Sequence, residues 1–479
     1  MFTNMAEISA PAPAEEAAPT PTLAPSAAQT PPAARTSSTD SVKMLKPDGT
    51  QLQFSHPDGF VPVGVKPNVR VIRGPDEITP EWLTPIYQSR GFLQMGGKVT
   101  SVQIKPLGDG LGVMGDLCLV FAEFEGGNDT TPKGFVAKFC PQKLYGFPKP
   151  VAETMAKGMF GTEAHWYNDF IEEEIGLPKP QAYFVGAKLK HRRPWRRSPV
   201  FCMLIELMPK PIYSLAGGCD HLPHLMQLMD GLATFHALWW EAPKKPPIEY
   251  IPSPRDMCGI AVPAIGFVSS SSFSALASCF GDTYAPILSW RNQLRGKHKA
   301  LVRMMFEAPL TLTHGDVHLD NIFFDESWAN KTTGAGGFKL IDFGNMQFLQ
   351  GMFDVASLVG TCIEPDARRA MEKSLIERYH AKLTEGISAA QAAAYPLERC
   401  WRDYRLNLWR MVINVAFVCK TQFLKSSKAK TGMFSEAPSE SDMKLKATYD
   451  ARNRRLVAAL VDNEFQTIIE SAAKGSCCC

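Results

Sequence analysis

The chain has 479 residues, 45% hydrophobic and 21% charged, a composition expected of a soluble globular protein with one large two-lobed domain or two domains. Its 51 Lys and Arg against 48 Asp and Glu leave a net charge of +3, too balanced for a nucleic-acid or membrane surface to be the main partner. The 12 Cys stand mostly singly among apolar neighbours, without the spacing of a disulfide framework or of paired C-x-x-C zinc knuckles, so a reducing, cytoplasmic location is expected.

Residues 1–45 are rich in Ala, Pro, Ser and Thr and too poor in large apolar groups to offset the entropy of ordering, so a disordered leader is predicted. Glu7, Glu15 and Glu16, with no early Arg, argue against a secretory or mitochondrial signal. Lys46 to Arg73 carries turn punctuation around short β-prone runs and has no assignable job. Thr79 then caps a short helix to Arg90, with Pro80 in its first turn and Trp82, Leu83 and Ile86 on its apolar side.

Val99–Ile104 and Leu117–Phe124 read as strands. Between them Gly108, Gly110, Gly112 and Gly115 form a glycine-rich turn, which is either a loose hairpin loop or a place where backbone comes close to phosphate. The next strand, Phe135–Phe139, presents Lys138 inside an otherwise apolar run. A helix over 161–170 carries Trp166, Tyr167 and Phe170 as its stripe and Glu163 beside it; Glu153 is a second acidic candidate, and Glu172 to Glu174 read as solvated helix-end charge. Ala182–Lys188 and Val200–Glu206 form a predicted hairpin. Its basic tip, Lys188 to Arg197, reads as a solvated loop, with nucleic-acid binding or an import signal as the alternative.

His221 to Trp240 has helical apolar spacing, and His236 beside that stripe reads as a buried, hydrogen-bonded core residue. Cys219, His221 and His224 lie close in sequence but fit no standard zinc pattern. Gly259–Phe280 is apolar, yet Pro263 and Ser269 to Ser272 interrupt it, so an insertion or substrate-side loop is expected rather than a membrane span. Trp290–Met305 is predicted as one amphipathic helix.

The most informative stretch is Leu310–Ala356. Two short apolar runs flank His314-Gly315-Asp316, and a third delivers Asp342-Phe343-Gly344. Asp316 could accept a proton, while Asn321 and Asp342 offer the hard oxygen ligands that Mg²⁺ prefers. Phosphoryl transfer needs those parts, a carboxylate beside the attacking hydroxyl and oxygens holding Mg²⁺ on the nucleotide phosphates. Farther on, Leu397–Leu424 carries Trp401, Tyr404, Leu408, Met411, Val412 and Val415 along one helical face. Lys425–Asp442 is a break, and Lys444–Ala473 is predicted as a closing charged helix. Cys477 to Cys479 is a conceivable lipidation site that fits no C-a-a-X signal.

The ordered set H-G-D-V-H-L-D-N, I-D-F-G and Asp354-Val355-Ala356 resembles the aminoglycoside phosphotransferase and choline kinase-like superfamily, nearest its ecdysteroid kinase-like branch. That branch has an E-x-x-x-Y helix leading to a Pro-x-Pro segment, much as Glu163, Tyr167 and Pro178-Lys179-Pro180 do here. The resemblance covers roughly Glu77 to Leu424. It implies an α+β, protein-kinase-like bilobal fold with an N-lobe over 46–207 and a helical C-lobe over 208–479.

ATP and Mg²⁺ are the implied cofactors, and the implied partner is a small-molecule alcohol, with no nucleic acid and no integral membrane segment. Asp316 would be the catalytic base, Asn321 and Asp342 the metal ligands, and Lys138 fixed by Glu163 the nucleotide anchor. The glycine turn would cover phosphate, Glu206 and Met208 would form the hinge, and Asp354 would cap its own helix and brace the catalytic loop. The aromatic end of the late helix, Trp401 and Tyr404, would face the acceptor. Protein kinases place a long activation segment with an A-P-E anchor after D-F-G; its absence here points to a small acceptor. The competing readings are a pseudokinase or nucleotide-binding scaffold and a lipid-tethered interaction protein.

Overall fold

The computed structural model describes residues 69–107, 116–140, 149–169, 177–188, 200–242, 250–253, 273–329, 337–418 and 440–472. The leader, Gly108, Gly110, Gly112 and Gly115, Glu172 to Glu174, nearly all of the basic hairpin tip, most of Gly259–Phe280, most of Lys425–Asp442 and the terminal Cys triplet lie outside them.

Helix α1 (Pro80–Ser89) starts where the Thr79 hydroxyl accepts from the Trp82 N–H at 3.2 Å. It packs on a five-stranded antiparallel sheet of order β1-β2-β3-β5-β4, made of β1 (Leu93–Pro106), β2 (Asp116–Gly127), β3 (Gly134–Phe139), β4 (Ala182–Lys188) and β5 (Val200–Glu206). Side chains alternate across a strand, and β3 uses that alternation fully. Phe135, Ala137 and Phe139 join Trp82, Leu83, Ile86 and Tyr87 in a core on one face. Val136 joins Phe160, Ala164 and Met203 on the other. Lys138 is in register with Val136 and so stands on that second face, toward helix α2 (Lys149–Asp169).

The second core runs on without a break into the helical half. There α3 (Leu222–Leu238), α4 (273–288), α5 (Arg291–Leu294) and α6 (His298–Met304) lead to two small ribbons. Strand β6 (Thr311–Thr313) pairs with β9 (Gln347–Leu349), and β7 (Ile322–Phe324) pairs with β8 (Phe338–Leu340). Helices α7 (Met352–Cys362), α8 (Pro365–Glu385), α9 (Ala389–Ala394), α10 (Leu397–Val418), α11 (Glu440–Asp462) and α12 (Phe465–Ser471) close the chain. The molecule is α+β, a small antiparallel sheet followed by a larger helical part, as the resemblance implies. Among the described residues no helix is long and apolar enough to cross a membrane.

Three expected elements differ. Trp290–Met305 is two short helices, because Gly296 adopts φ +80° between them. The closing helix is likewise split, at Glu464 with φ 48°. Residues 273–280, expected in a loop, are the start of α4, with Phe273, Ala275, Leu276 and Phe280 buried in the core.

Candidate active site

The face of β3 that carries Lys138 meets α2 and the loop after β8. The Lys138 ammonium lies 2.8 Å from Glu163 Oε2 and 3.0 Å from Asp342 Oδ1. Burial alone would strip its proton, but Asp342 and Glu163 outweigh that effect and hold it well above the usual lysine range. Glu163 is 1% exposed, and burial pushes its carboxyl up to about 7 despite the opposing pull of Lys138. Asp342 is one-third exposed and has φ 67°, a left-handed conformation rare for a residue with a Cβ. Phe343 next to it fixes that turn: its ring stacks on Trp166 at 5.6 Å, meets Tyr167 edge-on and lies against His314 at 4.7 Å.

The ribbon β7–β8 brings the metal-ligand candidates to one end. Ile322 pairs with Leu340, and the Ile341 N–H donates to the Asn321 carbonyl at 3.0 Å. Asn321 donates its amide NH₂ to the Asp316 carbonyl, 3.0 Å, which leaves its Oδ1 as an acceptor. Among the described residues no three His, Cys, Asp or Glu side chains are grouped to hold a metal. Two hard oxygens, Asp342 carboxylate and Asn321 amide, suit a cation that takes its other ligands from phosphate and water, the usual Mg²⁺ arrangement.

Asp316 sits in the loop between β6 and β7. Its Oδ2 accepts from Asn345 Nδ2 at 3.2 Å, and His318 Nε2 stands 3.6 Å from Oδ1. Burial would raise its pKa, but His318 and then Arg452 hold the carboxyl well below the usual range, so it stays ionised. Beneath this loop is a fully buried brace. Asp354 accepts from the His314 N–H at 2.7 Å and the Gly315 N–H at 2.9 Å, and its Oδ2 meets His236 Nε2 at 3.3 Å. The other His236 nitrogen bonds Tyr379 Oη at 2.8 Å. His314 Nε2 donates to the Ile341 carbonyl at 3.0 Å, so its Nδ1 accepts from the Asp316 N–H at 3.3 Å and links the two loops as a neutral ring. Gly315, at φ +84°, lies so close to the Asn345 carbonyl that no Cβ fits.

The remaining expected site residues fall as follows. The Glu206 carboxylate is engaged by Lys339, 2.8 Å to each oxygen, and by the Gln181 N–H at 3.0 Å, while its own N–H bonds the Gln181 carbonyl. Met208 is buried beside this strand end. Asp354 braces the loop but does not cap α7: Gly351 is the N-cap and no side chain caps that helix end. Tyr404 does not face a pocket. It is fully buried and donates to Glu372 Oε1 at 2.5 Å, inside the packing of α8 and α10. His221 and His224 meet edge-on at 4.3 Å, with Tyr213 Oη 2.8 Å from His224 Nδ1.

Sequence reasoning missed Asn345 and Arg452 as neighbours of Asp316, and the service of His236 to Asp354. Asn345 follows Gly344 directly, and a polar residue there was the available signal. Arg452 lies 136 positions from Asp316 by residue number (452 less 316) and carries no local signal.

The sheet, the lysine with its glutamate and the two loops stand in the order that the kinase-like resemblance implies. The Ecdysteroid kinase-like family matches residues 268–391, a span that contains Leu310–Ala356. The resemblance read from the motifs is therefore found in the family comparison as well.

Solved structures similar to the chain include the choline kinase of Cryptosporidium parvum Iowa II, 11% identical over 78% of this chain and 91% of that one, with a TM-score of 0.43. A Plasmodium vivax ethanolamine kinase is 11% identical over 76% of this chain and 84% of that one, TM-score 0.40. A microcompartment-associated aminopropanol kinase is 14% identical over 78% and 95%, TM-score 0.40. No curated protein matches the chain in sequence.

Proposed function

We propose that the protein is an ATP- and Mg²⁺-dependent phosphotransferase that phosphorylates a hydroxyl of a small molecule. The observation that carries this reading is the convergence of Lys138, Glu163 and Asp342 within one set of contacts of 2.8 to 3.0 Å, next to the loop that holds Asp316 and Asn321. Lys138, oriented by Glu163, positions the nucleotide phosphates. Asp342 and Asn321 would hold a magnesium ion, which would supply charge neutralisation on the transferring phosphoryl group. Asp316, kept ionised by its neighbours, orients the acceptor hydroxyl and takes its proton. Glu206 and Met208 form the strand end along which the adenine edge would lie.

A small acceptor is favoured by the segment between the two loops. Only nine residues, Asn345 to Phe353, separate Gly344 from Asp354. Three of them are β9, paired to β6 beneath the catalytic loop, so no platform for a peptide is left.

The test is transfer of radiolabelled γ-phosphate from ATP to a protein-free metabolite extract and, separately, to a protein mixture. Label is expected in the metabolites, dependent on Mg²⁺, and reduced by about 10² to 10⁴ in Asp316→Asn. Label confined to proteins, or none in either pool, overturns the reading.

A further inference from the structure

In the ribbon β6–β9, Thr311, Leu312 and Thr313 pair with Leu349, Phe348 and Gln347, and the Thr313 hydroxyl donates to the Gln347 carbonyl at 2.9 Å. Carried two residues on, this antiparallel register sets Gly315 opposite Asn345. The two backbones meet there: Gly315, at φ +84°, takes the Asn345 carbonyl into the space that a Cβ would fill. Asn345 is fixed from its other side as well. It ends the single 3-10 turn Phe343–Asn345, which Phe343 pins against Trp166, Tyr167 and His314, and its carbonyl accepts from Gln347 Nε2 at 3.3 Å.

With its backbone so held, Asn345 aims its side-chain amide at the catalytic loop. Its Nδ2 donates to Asp316 Oδ2 at 3.2 Å, while His318 Nε2 stands 3.6 Å from Oδ1, beyond an ordinary hydrogen bond. The carboxylate is thus divided. One oxygen is engaged by a neutral donor; the other makes no such bond with the described residues, on a side chain that is 31% exposed. The χ2 torsion of an aspartate is broad, so one fixed donor decides which oxygen faces outward. Asn345 stands three residues after Asp342, in the turn that Asp342 opens. The direction of Asp316 and the place of Asp342 are therefore set by one short piece of backbone.

We propose that Asn345 is a positioning residue for the catalytic base: it holds Asp316 Oδ2 so that Oδ1 receives the proton of the acceptor hydroxyl. In that step the hydroxyl oxygen bonds to the γ-phosphorus of ATP. The bond from that phosphorus to the β,γ-bridging oxygen breaks, its electron pair leaves on ADP, and the hydroxyl proton passes to Oδ1. This deepens the phosphotransferase reading and rests on it for the role of Asp316. The residue after Asp-Phe-Gly thereby aligns the base with the phosphate, two groups that separate loops deliver.

The test is a double-mutant cycle of Asn345→Ala and Asp316→Asn on the full chain, read as transfer of labelled γ-phosphate from saturating Mg-ATP into a protein-free metabolite extract. Asn345→Ala alone is expected to lower the transfer rate about 10- to 10²-fold with the KM for ATP unchanged, since the base is misdirected while the nucleotide contacts are intact. Asn345→Asp, which keeps the shape but sets a carboxylate against Asp316, is expected to lose at least as much. In the Asp316→Asn background the further loss from Asn345→Ala is expected to vanish, which a fault in folding would not do. Melting temperatures of each variant check that the fold is kept. An Asn345→Ala rate equal to that of wild type, or an equal loss in both backgrounds, overturns the proposal. A wild type that transfers no label overturns the phosphotransferase reading itself, and full transfer by Asp316→Asn overturns the role of Asp316 and with it that of Asn345.

Discussion

The Lys138 trio and the brace under the Asp316 loop are both built on carboxylates, but they are secured in opposite ways. Glu163 and Asp342 share a single ammonium, with Asp342 one-third exposed. Asp354 is fully buried and divides its oxygens between two backbone N–H groups and His236. A partly exposed carboxylate can exchange one partner for a phosphate or a cation at small cost. A buried carboxylate that loses its donors has no such substitute. Under the proposed function, the difference would give adaptability to the side that admits nucleotide and rigidity to the side that holds the acceptor hydroxyl.

The comparison is broken most directly at the brace. Asp354→Ala is expected to cost about 3–5 kcal/mol of unfolding free energy in a denaturant titration, as removal of one partner from a buried charged network does. Asp342→Ala, on the exposed side, is expected to cost under about 1 kcal/mol while abolishing Mg²⁺-dependent turnover. Equal losses of stability would mean that the two carboxylates are secured alike.

Within the trio, Lys138→Met is expected to lower turnover about 10²- to 10³-fold, since a charge aimed at the phosphates is removed. Glu163→Gln is expected to lower it only about tenfold, because Lys138 keeps its charge and loses only its orientation. Steady-state kinetics on the two purified variants checks the ranking. A silent Glu163→Gln would shift attention to Glu153.

A smaller effect is readable in pH. Glu163 has a folded pKa of about 7 against an ordinary value of 4.5, so the folded state binds its proton more tightly than the unfolded one. Its contribution to stability is full below pH 4.5 and is lost as the pH rises through 7. In the absence of nucleotide and metal, Glu163→Gln should flatten the fall in melting temperature across that window. An unchanged slope would show that another group titrates there. Smallest of all, Tyr404→Phe is expected to cost about 1 kcal/mol in stability, one hydrogen bond, and to leave acceptor KM unchanged. A raised acceptor KM would return that ring to the pocket.

Much of the arrangement was legible where chemistry and spacing coincide within a few residues. Lys138 stood out because β3 is otherwise apolar, and the period of two in that strand puts it beside Val136 on the face that α2 covers. His314 to Asn321 and Asp342 to Gly344 were legible as an ordered pair of runs. Tyr404 misled because a stripe along a helix says which side is apolar but not which neighbour covers it; here α8 does, through Glu372. The break at Gly296 had its signal in the glycine, whereas Glu464 at φ 48° had none. Arg452 was illegible in principle, since its relation to Asp316 exists only once α11 has folded back across the helical half.

The same fold-back sets a timetable. Arg455 secures the 214–218 turn, which in turn secures Asp320, so the loop carrying Asp316 takes one of its supports from a residue about 140 positions later in the chain (455 less 316). At ribosomal speeds of roughly 5–20 residues per second, that support arrives on the order of 10 s after Asp316 has been synthesised.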